Sequence, residues 1–238
     1  MELRAAAGRT GRSLASLLER RVRGEPLAWI TGRTTFCGAE VVVEPGAYVP
    51  RPQTEALARR AVELLPDRGV GVDLCTGTGA IAVVLQRWHP RATVLASDDD
   101  PVAVACARRN GVSTLLGDLD EALPAEMSGS VDVMTAVPPY VPTDDLRLLP
   151  RDVLAYEPRT ALDGGTDGTD LLYRIVRRSP TWLRAGGWLL LELGGAQASP
   201  IGEEMRRVGF GSVRAVRDAD GDVRSIEGCA TGAARASG

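Results

Sequence analysis

The stretch Val72-Asp73-Leu74-Cys75-Thr76-Gly77-Thr78-Gly79-Ala80 decides how the chain folds. An apolar run ends in an acid, a glycine turn follows, and Ala80-Ile81-Ala82-Val83-Val84-Leu85 opens a helical pattern. A buried strand, a tight loop and a helix N-terminus bring a ligand against backbone N–H groups. Gly77 and Gly79 are expected to let that ligand approach, because a Cβ at either position would stand in its way. A dinucleotide fold places a third glycine where Ile81 and Ala82 stand, so pyrophosphate is not the expected ligand. The acid at Asp73 instead suits a cationic group without phosphates.

Composition sets the frame. The 238 residues suffice for one sizeable α/β domain and a small appendage. Hydrophobic residues at 44% and charged residues at 25% are those of an ordinary soluble protein. No apolar run is long enough for a bilayer and Met1-Glu2-Leu3-Arg4 does not begin a signal peptide, so a cytoplasmic protein without membrane contact is expected. A formal net charge of −3 argues against nucleic acid as partner. Cys37, Cys75, Cys106 and Cys229 lack metal-ligand spacing and are expected as free thiols; no metal is expected. His89 is the only histidine, so catalysis falls to positioning, carboxylates, tyrosines and backbone groups.

Along the chain, residues 1–30 read as a helical segment, with Leu14, Leu17, Leu18 and Val22 at helix spacing; such a segment could pair two copies into a homodimer. Residues 31–50 read as a linking β-hairpin, and Thr54 as the N-cap of a helix reaching Leu65. Residues 51–230 alternate strands and helices, ending in a hairpin turned at Asp220-Gly221, and residues 231–238 read as a disordered tail. The alternation predicts an α/β domain, a parallel sheet with helices on both faces and one antiparallel strand from the closing hairpin.

Ligands in such sheets lie at the carboxyl ends of the strands. There the sequence places Asp73, Cys75, Thr76, Gly77 and Gly79, then Asp98 with Asp99 beside it, Asp118-Leu119, and Ala136 to Tyr140. Asp98 stands at the spacing from which an acid reaches a ribose hydroxyl, with Asp99 and Asp100 as competitors. Asp118 can accept from an adenine amine and Leu119 can pack on the ring. Together these acids point to an adenosyl cofactor bearing a cation, S-adenosylmethionine, with S-adenosylhomocysteine as product.

From Gly24 to Gly228 the chain resembles the HemK-type glutamine-amide methyltransferases. The matching pieces are Gly24-Glu25-Pro26-Leu27-Ala28-Trp29-Ile30-Thr31-Gly32, Pro50-Arg51-Pro52-Gln53-Thr54-Glu55, the glycine loop, Pro138-Pro139-Tyr140, Glu157-Pro158 and Ala161-Leu162-Asp163-Gly164-Gly165. The resemblance implies the Rossmann-like fold of class I methyltransferases, a seven-stranded sheet with a small N-terminal helical domain. Two departures stand out. The family's Asn-Pro-Pro-Tyr loop, whose asparagine side chain and following carbonyl hold the amide hydrogens of glutamine, reads Val137-Pro138-Pro139-Tyr140 here, and the N-terminal region is short.

Val-Pro-Pro-Tyr is similar to the loop of the arginine N-methyltransferase of streptozotocin-type biosynthesis. That likeness implies free L-arginine, a small-molecule amino acid, as the favoured acceptor, ahead of a protein glutamine amide. A third reading is a catalytically dead cofactor-binding protein. A guanidinium offers five donors and no acceptor, so carboxylates and carbonyls would hold it. The expected acceptor site is Gln53, Glu55, Val137, the Pro138 carbonyl, Tyr140 stacking on the planar group, and Glu157, with Asp144 and Asp145 as further candidates. Glu157, Pro138 and Tyr140 are the expected catalytic residues, and Val137 is also expected to border the cofactor.

Overall fold

A computed structural model describes residues 2–232. Three short helices, α1 (Glu2–Thr10), α2 (Leu14–Val22) and α3 (Leu27–Thr31), precede a hairpin of β1 (Arg33–Phe36) and β2 (Ala39–Val42). There follow α4 (Glu55–Leu64), β3 (Val70–Leu74), α5 (Ala80–Trp88), β4 (Thr93–Asp98), α6 (Pro101–Arg109), β5 (Ser113–Leu116) and β6 (Val131–Ala136). The chain continues through α7 (Arg151–Tyr156), α8 (Asp170–Arg178), β7 (Leu183–Glu192), α9 (Ala198–Arg207), β8 (Phe210–Arg217) and β9 (Val223–Ala230).

The large sheet has seven strands in the order β5-β4-β3-β6-β7-β9-β8. Strands β3 to β7 pair in parallel, and β9 runs antiparallel between β7 and β8. Alternation along the strands builds two cores. Val72 and Leu74 of β3, Met134 of β6, and Leu189 and Leu191 of β7 face α8 and α9 through Leu172, Ile175, Ile201 and Met205. Val133 and Leu190 point the other way, toward Leu57 and Ala61 of α4 and Ile81 and Leu85 of α5. Every residue of β6 is buried, as a strand covered on both faces requires. The strand order reverses between β3 and β6, and this is where an open α/β sheet leaves a crevice at its carboxyl edge.

The N-terminal helices share a small core of Ala6, Leu17 and Ile30. Trp29 Nε1 donates to the Ala47 carbonyl at 3.0 Å, and the Tyr156 hydroxyl donates to the Arg23 carbonyl at 3.1 Å. These bonds tie the helices to the catalytic body.

The structure differs from the sequence-based expectation in several places. The helical segment is divided into three helices, the last ending at Thr31, and Leu18 and Val22 of its apolar stripe are exposed. Pro52–Thr54 forms a 3-10 turn leading into α4, and Thr54 makes no side-chain cap. Its hydroxyl instead helps hold the charge of Glu192. Helix α7 was not anticipated. Of the expected tail, Thr231 bonds to the Gly209 carbonyl, and residues 233–238 lie outside the described residues. No described helix is long and apolar enough to cross a membrane. The four cysteines are free, and no metal-holding cluster occurs among the described residues.

Candidate active site

A cavity of about 490 Å³ opens at the carboxyl ends of β3, β4 and β6. Its walls bring together Asp73, Cys75, Thr76, Gly77, Asp98, Asp99, Asp118, Leu119, Gln53, Val137, Pro138 and Tyr140 from the sequence-derived set. Gly79, Glu55, Glu157, Asp144 and Asp145 do not line it.

Asp73 organises the loop. It is 1% exposed, and its two oxygens accept from the hydroxyls of Thr135 at 2.7 Å and Thr76 at 2.5 Å. Burial pushes its carboxyl up to about 6 despite those bonds. Asp98 takes the Gly77 N–H at 2.8 Å on one oxygen and the Asp100 N–H at 3.0 Å on the other, and burial raises it too. Asp118 pairs with Arg174 at 2.7 Å, so its carboxylate is shared with a cation outside the cavity. Leu119 adopts a left-handed φ of 53°, its carbonyl held by the Ser97 hydroxyl at 2.7 Å. Cys75 also has a positive φ, 51°, the conformation for which glycine is the unstrained choice.

Gly79 corrects an expectation. A Cβ there would stand 3.1 Å from Ala107 Cβ and Val112 Cγ2, so the glycine is required for α5 to start close against α6, and it does not line the cavity. Gly77 alone of the two borders the cavity. Glu55 is corrected as well. Its carboxylate receives the Cys37 N–H at 3.0 Å and pairs with Arg59. Asp144 and Asp145 are exposed on a 3-10 turn.

Glu157, expected to bind the acceptor, faces elsewhere. It pairs with Arg51, whose guanidinium lies 4.8 Å over the Tyr48 ring. Arg51 borders the main cavity on one side and a smaller one of about 290 Å³, beneath the N-terminal helices, on the other. Glu157 borders only the smaller one.

The Pro138-Pro139-Tyr140 loop is backed closely. Val141 N–H donates to the Leu162 carbonyl at 3.0 Å, and Gly164 N–H to the Val141 carbonyl at 2.9 Å. A Cβ on Gly164 would lie 2.7 Å from the Pro139 carbonyl oxygen, and one on Gly168 would lie 2.1 Å from that of Tyr140. The glycines of this segment allow backbone to pack on backbone. The Tyr140 carbonyl also accepts from Gln197 Nε2 at 2.8 Å, and its hydroxyl donates to Glu192 at 2.9 Å. Sequence reasoning missed Tyr48, Arg51, Thr135, Glu192 and Gln197. Glu192 carried a readable signal, an acid closing the apolar run Leu189-Leu190-Leu191.

The wall chemistry fits S-adenosylmethionine. Asp73, Asp98, Asp99, Asp100 and Asp118 line the cavity, and Arg51 is its only described basic residue. Such a lining favours a cation over a phosphate. The volume lies within the usual range for small-ligand sites.

A pH prediction arises from Asp73. Its folded-state pKa of about 6 lies above the ordinary carboxylate value of 3.8, so the ionised group costs the free protein stability above pH 6, and that cost shrinks as pH falls and is gone below the ordinary value. Attraction of a cation runs the opposite way and needs the ionised form. Cofactor affinity is therefore expected to weaken by about tenfold from pH 7 to pH 5. Calorimetric titration should show this in the wild type and a flatter profile in Asp73→Asn; equal slopes would remove Asp73 from the cofactor's field.

The family model described as methyltransferase small domain matches residues 53–145. A release factor glutamine methyltransferase of Geobacter sulfurreducens is 38% identical over 218 residues, covering 89% of this chain and 76% of that protein. Its counterpart from Salmonella typhimurium is 38% identical over 216 residues, covering 89% and 78%. A methyltransferase structure from Pyrococcus furiosus superposes with a TM-score of 0.58 at 20% identity, covering 81% of this chain and 89% of that one, which is a likeness of fold. The expectation of free L-arginine as the favoured acceptor is overturned by these relatives, which are named for glutamine along most of the chain. Val137 and the short N-terminal region had carried that expectation, against a match along most of the chain.

Proposed function

Because the chain belongs to the release factor glutamine methyltransferase family, we propose that it methylates the side-chain amide nitrogen of a glutamine in a peptide chain release factor. The enzyme is an S-adenosylmethionine-dependent N-methyltransferase. When bound, S-adenosylmethionine supplies an electrophilic methyl group on a sulfonium. The protein's own task is to hold an amide nitrogen in line with it.

The observation that carries the reading is the loop Pro138 to Tyr140, exposed to the cavity in front and packed on the Gly164 and Gly168 backbone behind. Pro138 and Pro139 carry no N–H, and the Pro139 and Tyr140 carbonyls face the backing segment, so the Pro138 carbonyl is the loop's acceptor for an incoming amide. The Pro138 carbonyl can take one amide hydrogen. Val137, packed against the core beside α4 and α5, offers none. Orientation supplies most of the rate in such a transfer, since the chain forms no covalent bond with the acceptor. A loop fixed on both sides suits that task.

The test is transfer of a labelled methyl from S-adenosylmethionine to a bacterial release factor. Label should enter the wild-type factor and not one whose acceptor glutamine is alanine. Equal labelling of both would move the reaction to another side chain.

A further inference from the structure

Strand β7 ends in a residue that the acceptor cavity never touches. Leu189, Leu190 and Leu191 are buried, and Glu192 follows at 2% exposure, beyond the register pair Ala136–Leu191 that brings β7 alongside the strand leading into the loop. A carboxylate so deeply buried needs partners. None of the ion pairs among the described residues includes it. Its defined partner is the hydroxyl of Tyr140, which donates to Oε1 at 2.9 Å, and the Thr54 hydroxyl adds to its support. Arg224 and Arg51 act on it only through space. Burial raises both the Glu192 carboxyl and the Tyr140 hydroxyl, so the tyrosine stays protonated and remains the donor.

Tyr140 is thus held at two points by one stretch of chain. Its hydroxyl meets Glu192, and its carbonyl receives Gln197 Nε2 at 2.8 Å. Gln197 is itself fixed, its Oε1 accepting the Gly194 N–H at 2.8 Å. Tyr140 forms part of the cavity wall.

We infer that Glu192 is a positioning residue for methyl transfer: through the Tyr140 hydroxyl it fixes the tyrosine ring, and with it the Pro138 carbonyl, beneath the acceptor nitrogen. This rests on the reading that the acceptor nitrogen enters this cavity. The role has weight because Val137 leaves backbone and ring to do the aiming. A carbonyl on a backbone that drifts cannot replace a missing side chain. A misplacement near 1 Å is enough to cost about a hundredfold in rate.

The experiment compares Glu192→Leu, Glu192→Gln and Tyr140→Phe in the full chain. Glu192→Leu should lower kcat on the release factor by about tenfold or more, with KM and cofactor affinity held within about threefold. Glu192→Gln keeps an oxygen that accepts from Tyr140 and should recover most of the rate. In a Tyr140→Phe background, Glu192→Leu should cost nothing further, because the shared bond is already gone. Hydrogen exchange with S-adenosylhomocysteine bound supplies a readout independent of the acceptor. The amides of Val137, Tyr140 and Val141 should exchange faster in Glu192→Leu and Tyr140→Phe and at the wild-type rate in Glu192→Gln. Additive losses in the double variant, or a loss confined to cofactor affinity, would overturn the inference. So would unchanged exchange at those amides. Should Glu192→Leu not fold, Tyr140→Phe removes the same bond and must give the same kcat loss and faster exchange. If the wild-type enzyme methylates no release factor, the proposed substrate falls, and the exchange arm decides the role of Glu192 alone.

Discussion

Gly168→Ala is expected to lower methyl transfer by about a hundredfold while cofactor affinity changes by no more than about threefold. The added Cβ would stand 2.1 Å from the Tyr140 carbonyl oxygen and 2.4 Å from Gln197 Nε2, the two atoms that bond to each other. Gly168 has φ +75°, so alanine also meets a backbone cost of about 1–2 kcal/mol. The segment must move, and the loop it backs moves with it. The cofactor loop at Asp73 to Gly77 is organised separately, by Thr76, Thr135 and Asp98. Steady-state kinetics together with calorimetric titration of S-adenosylmethionine would separate the two effects. A parallel collapse of both would show that the glycine serves the whole fold and not the loop.

Val137→Asn should act in the opposite direction. An asparagine at the start of the loop offers an acceptor and a donor where valine offers none. One added hydrogen bond to a buried amide is worth about 1–3 kcal/mol, so kcat/KM on the release factor should rise about 5- to 150-fold. Some stability should be lost, because Val137 packs against the apolar cluster of α4 and α5. An unchanged kcat/KM would mean that the Pro138 carbonyl and the Tyr140 ring already hold the amide, and that the valine limits nothing.

Much of this was legible in the sequence because strands that end in acids announce the carboxyl edge of a sheet. Asp73, Asp98 and Asp118 were found that way, and all three border the cavity. The same signal at Glu192 was passed over. That strand lies outside the glycine-loop neighbourhood, and its acid acts through a tyrosine 52 residues away. Glu157 was misplaced for a related reason. Its partner Arg51 is 106 residues distant, and no local pattern says which acid takes which arginine. The glycines at 164 and 165 were visible as part of a family motif and Gly168 was not, and the close approach these glycines permit exists only in the folded chain. Gly79 shows the converse, since its place in a ligand-binding pattern concealed a packing role against α6. The acceptor was misjudged because one loop side chain and a short N-terminal region were set against a match along most of the chain. A loop whose neighbours hold it by backbone contacts can keep its task when one side chain changes.

The most direct test of the account is tandem mass spectrometry of a release factor incubated with the enzyme and S-adenosylmethionine. One added methyl, located on the side-chain nitrogen of a single glutamine, is the predicted result. A release factor left unmodified, while the cofactor binds and the methyl appears on a free amino acid instead, would contradict it.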